Sequence, residues 1–470
     1  MLKSAASMCG DRTYPSDMRV LTVRHDLNRD RSPLLSGSEP CYCELADDAH
    51  ASYISYLQPE FEHRKLVPCQ RSHSPRLKML LLAMFHPITP MHVLANASGK
   101  LMRSGVVATQ VAGLRLLKQR AGTARLFGVA GDQPSPVSTS PSGAITPPTI
   151  VVRGRDGLCQ NVRGQVARLR LEVRPASKWI LKAEEGAGKI GLRVLQLSAA
   201  SNAVPPSQLL CNLVRQQIDS DEAAGVFESY ALQPLVESPF LLHERKLNQR
   251  HFLCVMARAG NDAPLRLFVE KRGLWMIGQQ PLTSTSDRAS EVVNNIDMHG
   301  RGRPAPTIGT PDGLLDDATP EHNGKGIFAS YVHSHPTSLS PQGWDRWGLI
   351  PPSRPANIQA AYDTELMHTA GLLLKRVRQM VPEQASGQFG LMAADYLLDR
   401  HGKLWIIEVN IFPVMPPGES GSPRYRMYHD KWAAVLGMAE AAQAGVALPA
   451  QSIFHEAAAK QYPLAHIEWK

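Results

Sequence analysis

Three short stretches hold residue types that could do chemistry together. Residues 404–410 read LWIIEVN, an apolar strand whose alternation puts Glu408 and Asn410 on one face and Ile407 and Val409 on the other. Asp395 sits in the preceding apolar stretch, Phe389 to Leu398, where antiparallel pairing can set it opposite them. Two carboxylates and a carboxamide make a hard, oxygen-only ligand set. Mg2+ takes such a set and keeps further positions for water and phosphate oxygens. Carboxylates among Trp405, Ile406 and Ile407 are seldom left without a cation, which favours the metal over a plain acidic sheet edge.

The second stretch is Lys182 followed by residues 184–191, EEGAGKIG. A lysine closing a strand beside a glycine loop can hold phosphates through its ammonium and the backbone N–H groups around Gly186 and Gly188. It is not a Walker A loop: Ala183 stands where the first Gly belongs, and Ile190 replaces the Ser/Thr after Gly188-Lys189. The third stretch is Arg245-Lys246-x-Asn248-x-Arg250, in which Lys246, Asn248 and Arg250 share a face if extended. Arg266, within PLRLF, adds a second arginine on a neighbouring strand, and such a pair could neutralise a phosphate or acyl phosphate. Each stretch alone equally fits a glycine turn or a solvated sheet edge; their order along one region ties them together.

The elements that must position these residues follow from periodicity. Strands are expected at Thr149–Val152, Tyr230–Val236 and Phe252–Ala257. Trp179–Lys182 and Leu192–Leu197 form a hairpin around the glycine loop. Leu265–Glu270 and Leu274–Gln279 read as a further hairpin turned at Lys271–Gly273. Phe389–Leu398 and Leu404–Val409 form a third, joined by the turn Asp399–Lys403. Helices are expected at Gly99–Gln119, at Asp363–Met380 with Leu366, Ala370, Leu373, Leu374 and Val377 on one side, and at Tyr428–Ala444. Residues 1–75 read as a loosely ordered leader, 76–130 as an N-terminal domain and 131–150 as a Pro/Ser-rich linker. Residues 151–232 and 233–470 read as two subdomains, the latter with an insert at 300–326.

In bulk the 470 residues suffice for more than one domain, and the 36 Pro and 35 Gly imply inserts between ordered parts. A net charge of +9 favours an acidic partner without choosing one. No nucleic-acid-binding pattern appears, so nucleic acid is not expected as the partner. Seven scattered cysteines fit a reducing compartment better than a disulfide framework. No apolar run is long enough for a membrane span, and the start lacks a signal-peptide core. His333-Ser-His335-Pro336 approaches a zinc-isopeptidase pattern, but Gly343 and Arg346 occupy the positions that would need Ser and Asp.

Five blocks, in order, resemble the tubulin–tyrosine ligase-like family. Trp179-Ile-Leu-Lys182 is similar to its "W-I-x-K-P". Gln233-Pro-Leu-Val-Glu237-x-Pro239 through Arg250 resembles "Q-x-Y-I-E-x-P…G-R-K-F-D-x-R", and Pro264-Leu-Arg266-Leu-Phe268 resembles "P-L-R-I-Y". Residues 389–396, FGLMAADY, resemble "F-E-L-F-G-F-D-F", and Glu408-Val-Asn410-x-x-Pro413 resembles "E-V-N-x-x-P". The resemblance covers about half the chain.

It implies an α+β ATP-grasp fold, two subdomains sandwiching ATP after a smaller N-terminal α/β region. It also implies ATP- and Mg2+-dependent joining of a free amino acid to a protein carboxylate through an acyl phosphate. Tubulin tails on microtubules would be the acceptor, glutamate the amino acid by family frequency alone, and a monomer at the cytoskeleton or cilium the setting. By the same resemblance Lys182 holds the α and β phosphates, and Gln233, Leu235, Val236 and Glu237 form the adenine-side hinge. Lys246 and Asn248 line the nucleotide pocket. Arg250 and Arg266 stabilise the γ-phosphate and acyl phosphate, and Asp395, Glu408 and Asn410 hold magnesium. Asn248 stands where the family has Asp, and Val292-Val293-Asn294 where it has "L-T-N", leaving Asn294 or Asn295 for that role. Two other readings stay open: a non-catalytic microtubule-binding relative, and an ATP-grasp ligase for a non-tubulin substrate.

Overall fold

In the computed structural model the described residues are 41–46, 59–65, 67–68, 77–83, 107–108, 111, 114–133, 145–154, 156–175, 177–184, 192–197, 204–223, 229–236, 239, 241–242, 245–257, 265–270, 273–281, 331–334, 358–380, 388–399, 402–411, 423–444, 446–448 and 453–457. They form an α+β arrangement built on two antiparallel sheets, with a small parallel sheet beside them. The parallel sheet comprises β1 (Cys41–Ala46), β2 (Val67–Pro68), β3 (Leu77–Ala83) and β4 (Val107–Ala108), in the order β2-β1-β3-β4. Both β1 and β2 come from the stretch expected to be a leader. Where a helix is expected over 99–119, the described residues form β4 and a 3-10 turn at Leu114–Lys118, and 99–106, 109–110 and 112–113 lie outside the described residues. Gly105 and Gly113 interrupt the helical period there, and Val106, Val107, Thr109 and Val111 favour extended backbone.

A short helix α1 (Gly122–Leu126) follows the 3-10 turn. Gly122 has no room for a side chain, because a Cβ would fall 1.7 Å from the Leu116 carbonyl oxygen. The first antiparallel sheet takes β5 (Ile150–Arg153), β6 (Lys178–Ala183), β7 (Leu192–Gln196) and β8 (Ser229–Pro234), ordered β5-β8-β6-β7. The expected hairpin of β6 and β7 is present, with Lys182 opposite Leu192. Helices α2 (Leu158–Arg168) and α3 (Pro206–Ala223) cover one face, burying Trp179, Leu181, Ile150, Val152, Tyr230 and Leu232 against Val162, Leu210 and Val214. By alternation Lys182, Gln233 and Val151 occupy the other face.

Cys159 of α2 and Cys211 of α3 form a disulfide with a Cα–Cα distance of 5.3 Å, a pairing that scattered spacing in the chain did not announce. Closing a loop across 52 residues restrains the unfolded chain by about 4 kcal/mol on chain-entropy grounds. Reduction by a dithiol should therefore lower the thermal midpoint by several degrees, and Cys211→Ala should abolish that response. An unchanged midpoint on full reduction, checked by thiol alkylation, would show that the bridge adds nothing.

The second antiparallel sheet comprises β9 (Leu241–Leu242), β10 (Arg245–Met256), β11 (Arg266–Glu270), β12 (Gly273–Pro281), β13 (Tyr331–Ser334), β14 (Phe389–Leu398), β15 (Leu404–Asn410) and β16 (Phe454–Glu456). The basic stretch expected to lead into a strand at Phe252 is itself strand, and β10 is the spine of the sheet. The expected hairpin of β11 and β12 does not form. Both pair with β10, β11 at Leu253–Met256 and β12 at Arg245–Arg250, while β14 runs along the other edge. The length of β10 lets one backbone edge pair with both strands, which replaces the local turn.

Helix α4 (Ile358–Val377) covers one face of this sheet, its expected stripe of Leu366, Ala370, Leu373, Leu374 and Val377 buried with Leu253, Val255, Tyr396 and Ile406. Helix α5 (Pro423–Gln443) covers part of the other, packing Tyr428, Trp432 and Leu436 on Phe252, Cys254 and Leu391. Buried Lys431 on α5 pairs with Glu270 at 2.9 Å and lies 5.1 Å from the Phe252 ring centroid. Among the described residues no helix is long and apolar enough to cross a membrane.

Candidate functional site

The position of the carboxylates is set by the β14–β15 turn. Asp399 N donates to Lys403 O, Gly402 N donates to Asp399 O, and Gly402 takes a φ of 80°, where glycine carries no steric cost. The Asp399 carboxylate accepts from Lys403 N and Trp405 Nε1, at 3.0 and 2.9 Å, which stiffens the turn. From there Leu398 faces Leu404, Leu397 faces Trp405 and Tyr396 faces Ile406. The register then shifts by one residue, so Asp395 faces Glu408 and Ala393 faces Asn410.

That one-residue bulge decides which side the chemistry is on. Without it Asp395 would oppose Ile407, and Glu408 would point with Ile406 into the core under α4. Burial along β15 shows the switch: Leu404 and Ile406 are buried, then Val409. Strict alternation put Ile407 on the buried side; in the structure Ile406 occupies it and Ile407 lies at the bulge.

β10 supplies the cations on the same face. Arg250 is in register with Asp395 and holds it through two hydrogen bonds, Nε to Oδ1 at 2.7 Å and a terminal nitrogen to Oδ2 at 2.8 Å. Lys246 and Asn248 follow at two-residue intervals, both buried. The Asn248 Oδ1 has no hydrogen-bond partner.

Arg120, just after the 3-10 turn, forms an ion pair with Glu408. Burial depresses its guanidinium, with Asp395 opposing that shift and Arg250 adding to it. Sequence reasoning missed Arg120; the signal was the dense basic run Lys118-Gln-Arg120 before Gly122. Its placement is reinforced by Arg120 N, which donates to Glu184 O, and by Arg125, which donates to Glu184 at 2.6 Å and Asp132 at 2.9 Å.

Lys182 reaches this cluster from the first sheet. It is buried, and its Nζ donates to Gln233 Oε1 at 2.8 Å. Desolvation, then Arg120 and Lys246, lower its pKa to about 7, with Asp395 opposing. Burial lowers Lys246 to about 8. Lys182, Arg120, Lys246 and Arg250 therefore share one electrostatic neighbourhood with Asp395 and Glu408. Four cationic side chains against two carboxylates leave a surplus of positive charge, which an anion such as a polyphosphate would balance.

The expected site residues divide as follows. Lys182, Gln233, Lys246, Asn248, Arg250, Asp395, Glu408 and Asn410 come together. Leu235 donates its N–H to Lys178 O and packs beside Ile180 and Leu192 at the end of β8, and half-buried Val236 follows it. Arg266 is not part of the group: it pairs with Met256, six residues along β10 from Arg250, about 20 Å at the rise of a strand. There it makes two 2.6 Å hydrogen bonds to Glu456, away from the cluster around Arg250. Gly186, Gly188, Glu237 and Asn294 lie outside the described residues, as do His335 and the insert at 300–326.

Could these residues hold magnesium? Among the described residues no group of three or more His, Cys, Asp or Glu is arranged for a metal. The oxygens here are two carboxylates in register and the Asn410 carboxamide on the same face. Asn248, opposite Leu397, lies about 13 Å along the strands from the level of Asn410 and belongs with the residues expected to line the nucleotide pocket. Each carboxylate keeps lone pairs beyond those its arginine uses, so the donor set fits a hard cation that retains water. No protein-family model matches the chain, and no curated protein does.

Proposed function

We propose that this chain is an ATP-grasp protein ligase of the tubulin–tyrosine ligase-like kind, joining an amino acid to an acidic protein acceptor with Mg-ATP. One observation carries the proposal: Lys182, on a separate sheet, reaches the same cluster as Arg250, Asp395 and Glu408. The side chains gathered from the two antiparallel sheets would then comprise a phosphate-binding set and a metal-binding set.

In this reading Lys182 and Lys246 hold the nucleotide phosphates, and Arg120 and Arg250 neutralise the phosphoryl group in flight. Asp395, Glu408 and Asn410 would hold magnesium, which would supply charge neutralisation of the phosphates, and Asn248 would line the nucleotide pocket. An acceptor carboxylate oxygen attacks the γ-phosphorus and ADP leaves. The amine of the incoming amino acid then attacks the acyl carbon, phosphate leaves, and the amine gives up a proton. Positioning would contribute much of the acceleration, because Arg250 and Arg120 are already held by Asp395 and Glu408. Exposed Arg153, Arg163, Arg168, Arg170 and Arg174 on and around α2 give an acidic acceptor an attractive surface.

The test is incorporation of labelled glutamate, glycine or tyrosine into tubulin by purified protein with Mg-ATP, repeated with Glu408→Gln. Incorporation should fall at least about 100-fold in the variant, the usual scale for one charged transition-state contact. Microtubule binding without incorporation by the unmutated protein would instead establish a non-catalytic relative. ATP turnover without tubulin labelling would point to another acceptor.

A further inference from the structure

Thr149 lies just before β5, on the face of the first sheet opposite α2 and α3. Continuing the β5–β8 register, in which Ile150 faces Leu232, places it opposite Gln233. Its hydroxyl donates to Pro147 O at 3.1 Å and accepts from Gln233 Nε2 at 2.7 Å. The other end of that amide, Oε1, accepts from Lys182 Nζ. Thr149, Gln233 and Lys182 are 0%, 2% and 6% exposed, so water does not compete for these bonds.

We infer that Thr149 is a positioning residue: its hydroxyl sets the Gln233 amide so that an oxygen, not an NH2, meets the Lys182 ammonium. The chemistry allows one arrangement. With its own proton committed to Pro147 O, Thr149 Oγ1 can only accept, so the donor end of the amide turns towards it. A flipped amide would set a donor against Lys182 and leave Oε1 against an oxygen, two losses in a buried place. The backbone of Thr149 is fixed as well, its N–H donating to Val129 O at 3.0 Å and its carbonyl accepting from Gly131 N at 2.8 Å. Those bonds tie it to the segment that carries Arg120 and Arg125.

Around Lys182 the relay works against Arg120 from the turn before α1 and Lys246 of β10, and with Asp395 of β14. Without an oriented acceptor, the buried ammonium is left with two cations, Arg120 and Lys246, as neighbours. The consequence for nucleotide binding rests on the proposed function; the relay itself does not.

The experiment measures acetylation of Lys182 by acetic anhydride at pH 7 in the full chain, read by peptide mass spectrometry. Thr149→Val should raise the rate about three- to tenfold, the scale of one lost hydrogen bond. Thr149→Ser, which keeps the hydroxyl, should stay within about twofold of the unmutated protein. Gln233→Leu should mimic Thr149→Val, and combining the two should add nothing, as coupled groups behave. Equal rates in Thr149→Val and Thr149→Ser, or additive effects in the double variant, would overturn the inference. If Thr149→Val does not fold, Thr149→Ala, which adds no bulk, supplies the same comparison. Mg-ATP should slow acetylation of the unmutated protein. A Thr149 pattern that holds without such protection supports the relay and overturns the nucleotide site.

Discussion

Asp395→Asn should cost the folded state roughly 3–5 kcal/mol, the penalty for stripping one partner from a buried ion pair. The carboxylate is 5% exposed and takes two hydrogen bonds from Arg250. It also offsets Arg120 and Lys182. Asn keeps the shape but not the charge, leaving Arg250, Arg120, Lys246 and Lys182 to repel one another beside Glu408 alone. Urea unfolding reads the loss as a lower midpoint. Replacing both partners, Asp395→Leu with Arg250→Met, should recover part of it, because Arg250 is then no longer stranded while Arg120 and Lys182 still lose their offset. If Asp395→Asn unfolds within about 0.5 kcal/mol of the unmutated protein, the carboxylate is not the electrostatic centre of the site.

Lys182→Met should act in the opposite direction on stability while removing nucleotide binding. Burial beside Arg120 and Lys246 holds the ammonium at about 7 rather than 10.5. Below pH 7 the lysine is protonated folded or unfolded, and the folded state bears the whole penalty of a buried charge. Between pH 7 and 10.5 the unfolded chain still binds the proton and the folded one does not, so stability rises with pH. Above 10.5 both forms are neutral and the penalty is gone.

Met at 182 should therefore stabilise by on the order of 3 kcal/mol at pH 6. The gain should shrink at pH 8 and be nearly absent near pH 10. Unfolding of both proteins at the three pH values checks this, and a gain that grows with pH would refute the desolvated lysine. Affinity for Mg-ATP, by calorimetry, should fall at least about 100-fold, two lost charge-assisted bonds being enough. Binding to the unmutated protein should take up protons near pH 8, because phosphate oxygens restore the charge on Lys182.

Much of this architecture was legible because strands and helices announce themselves through apolar period. Phe389–Leu398 and the stripe from Leu366 to Val377 read directly. Asp395 and Lys182 were also visible as charged residues inside apolar strands, where burial demands a partner, and Arg250 as the end of a basic run. What failed depended on competition between distant segments. β11 and β12 looked like a hairpin because the Lys271–Gly273 turn was local and visible. The edge of β10 that captured both strands was not visible. Arg266 shared its residue type with Arg250 but not its place, since only the register shows that it lies opposite Met256. Arg120, one residue past the expected helix, and Thr149, though inside the expected strand Thr149–Val152, were hidden as site residues because each matters through partners more than 50 positions away.

The extra residue at Ile407 makes the site a matter of parity. From the turn, an odd or even count of residues to Glu408 determines whether its oxygens reach the cleft or vanish into hydrocarbon. A relative with the same Glu-x-Asn string and one residue fewer after Trp405 would keep every letter of the signature and have none of its chemistry. Counting steps from the turn is thus a sharper criterion for recognising such a site than matching its letters.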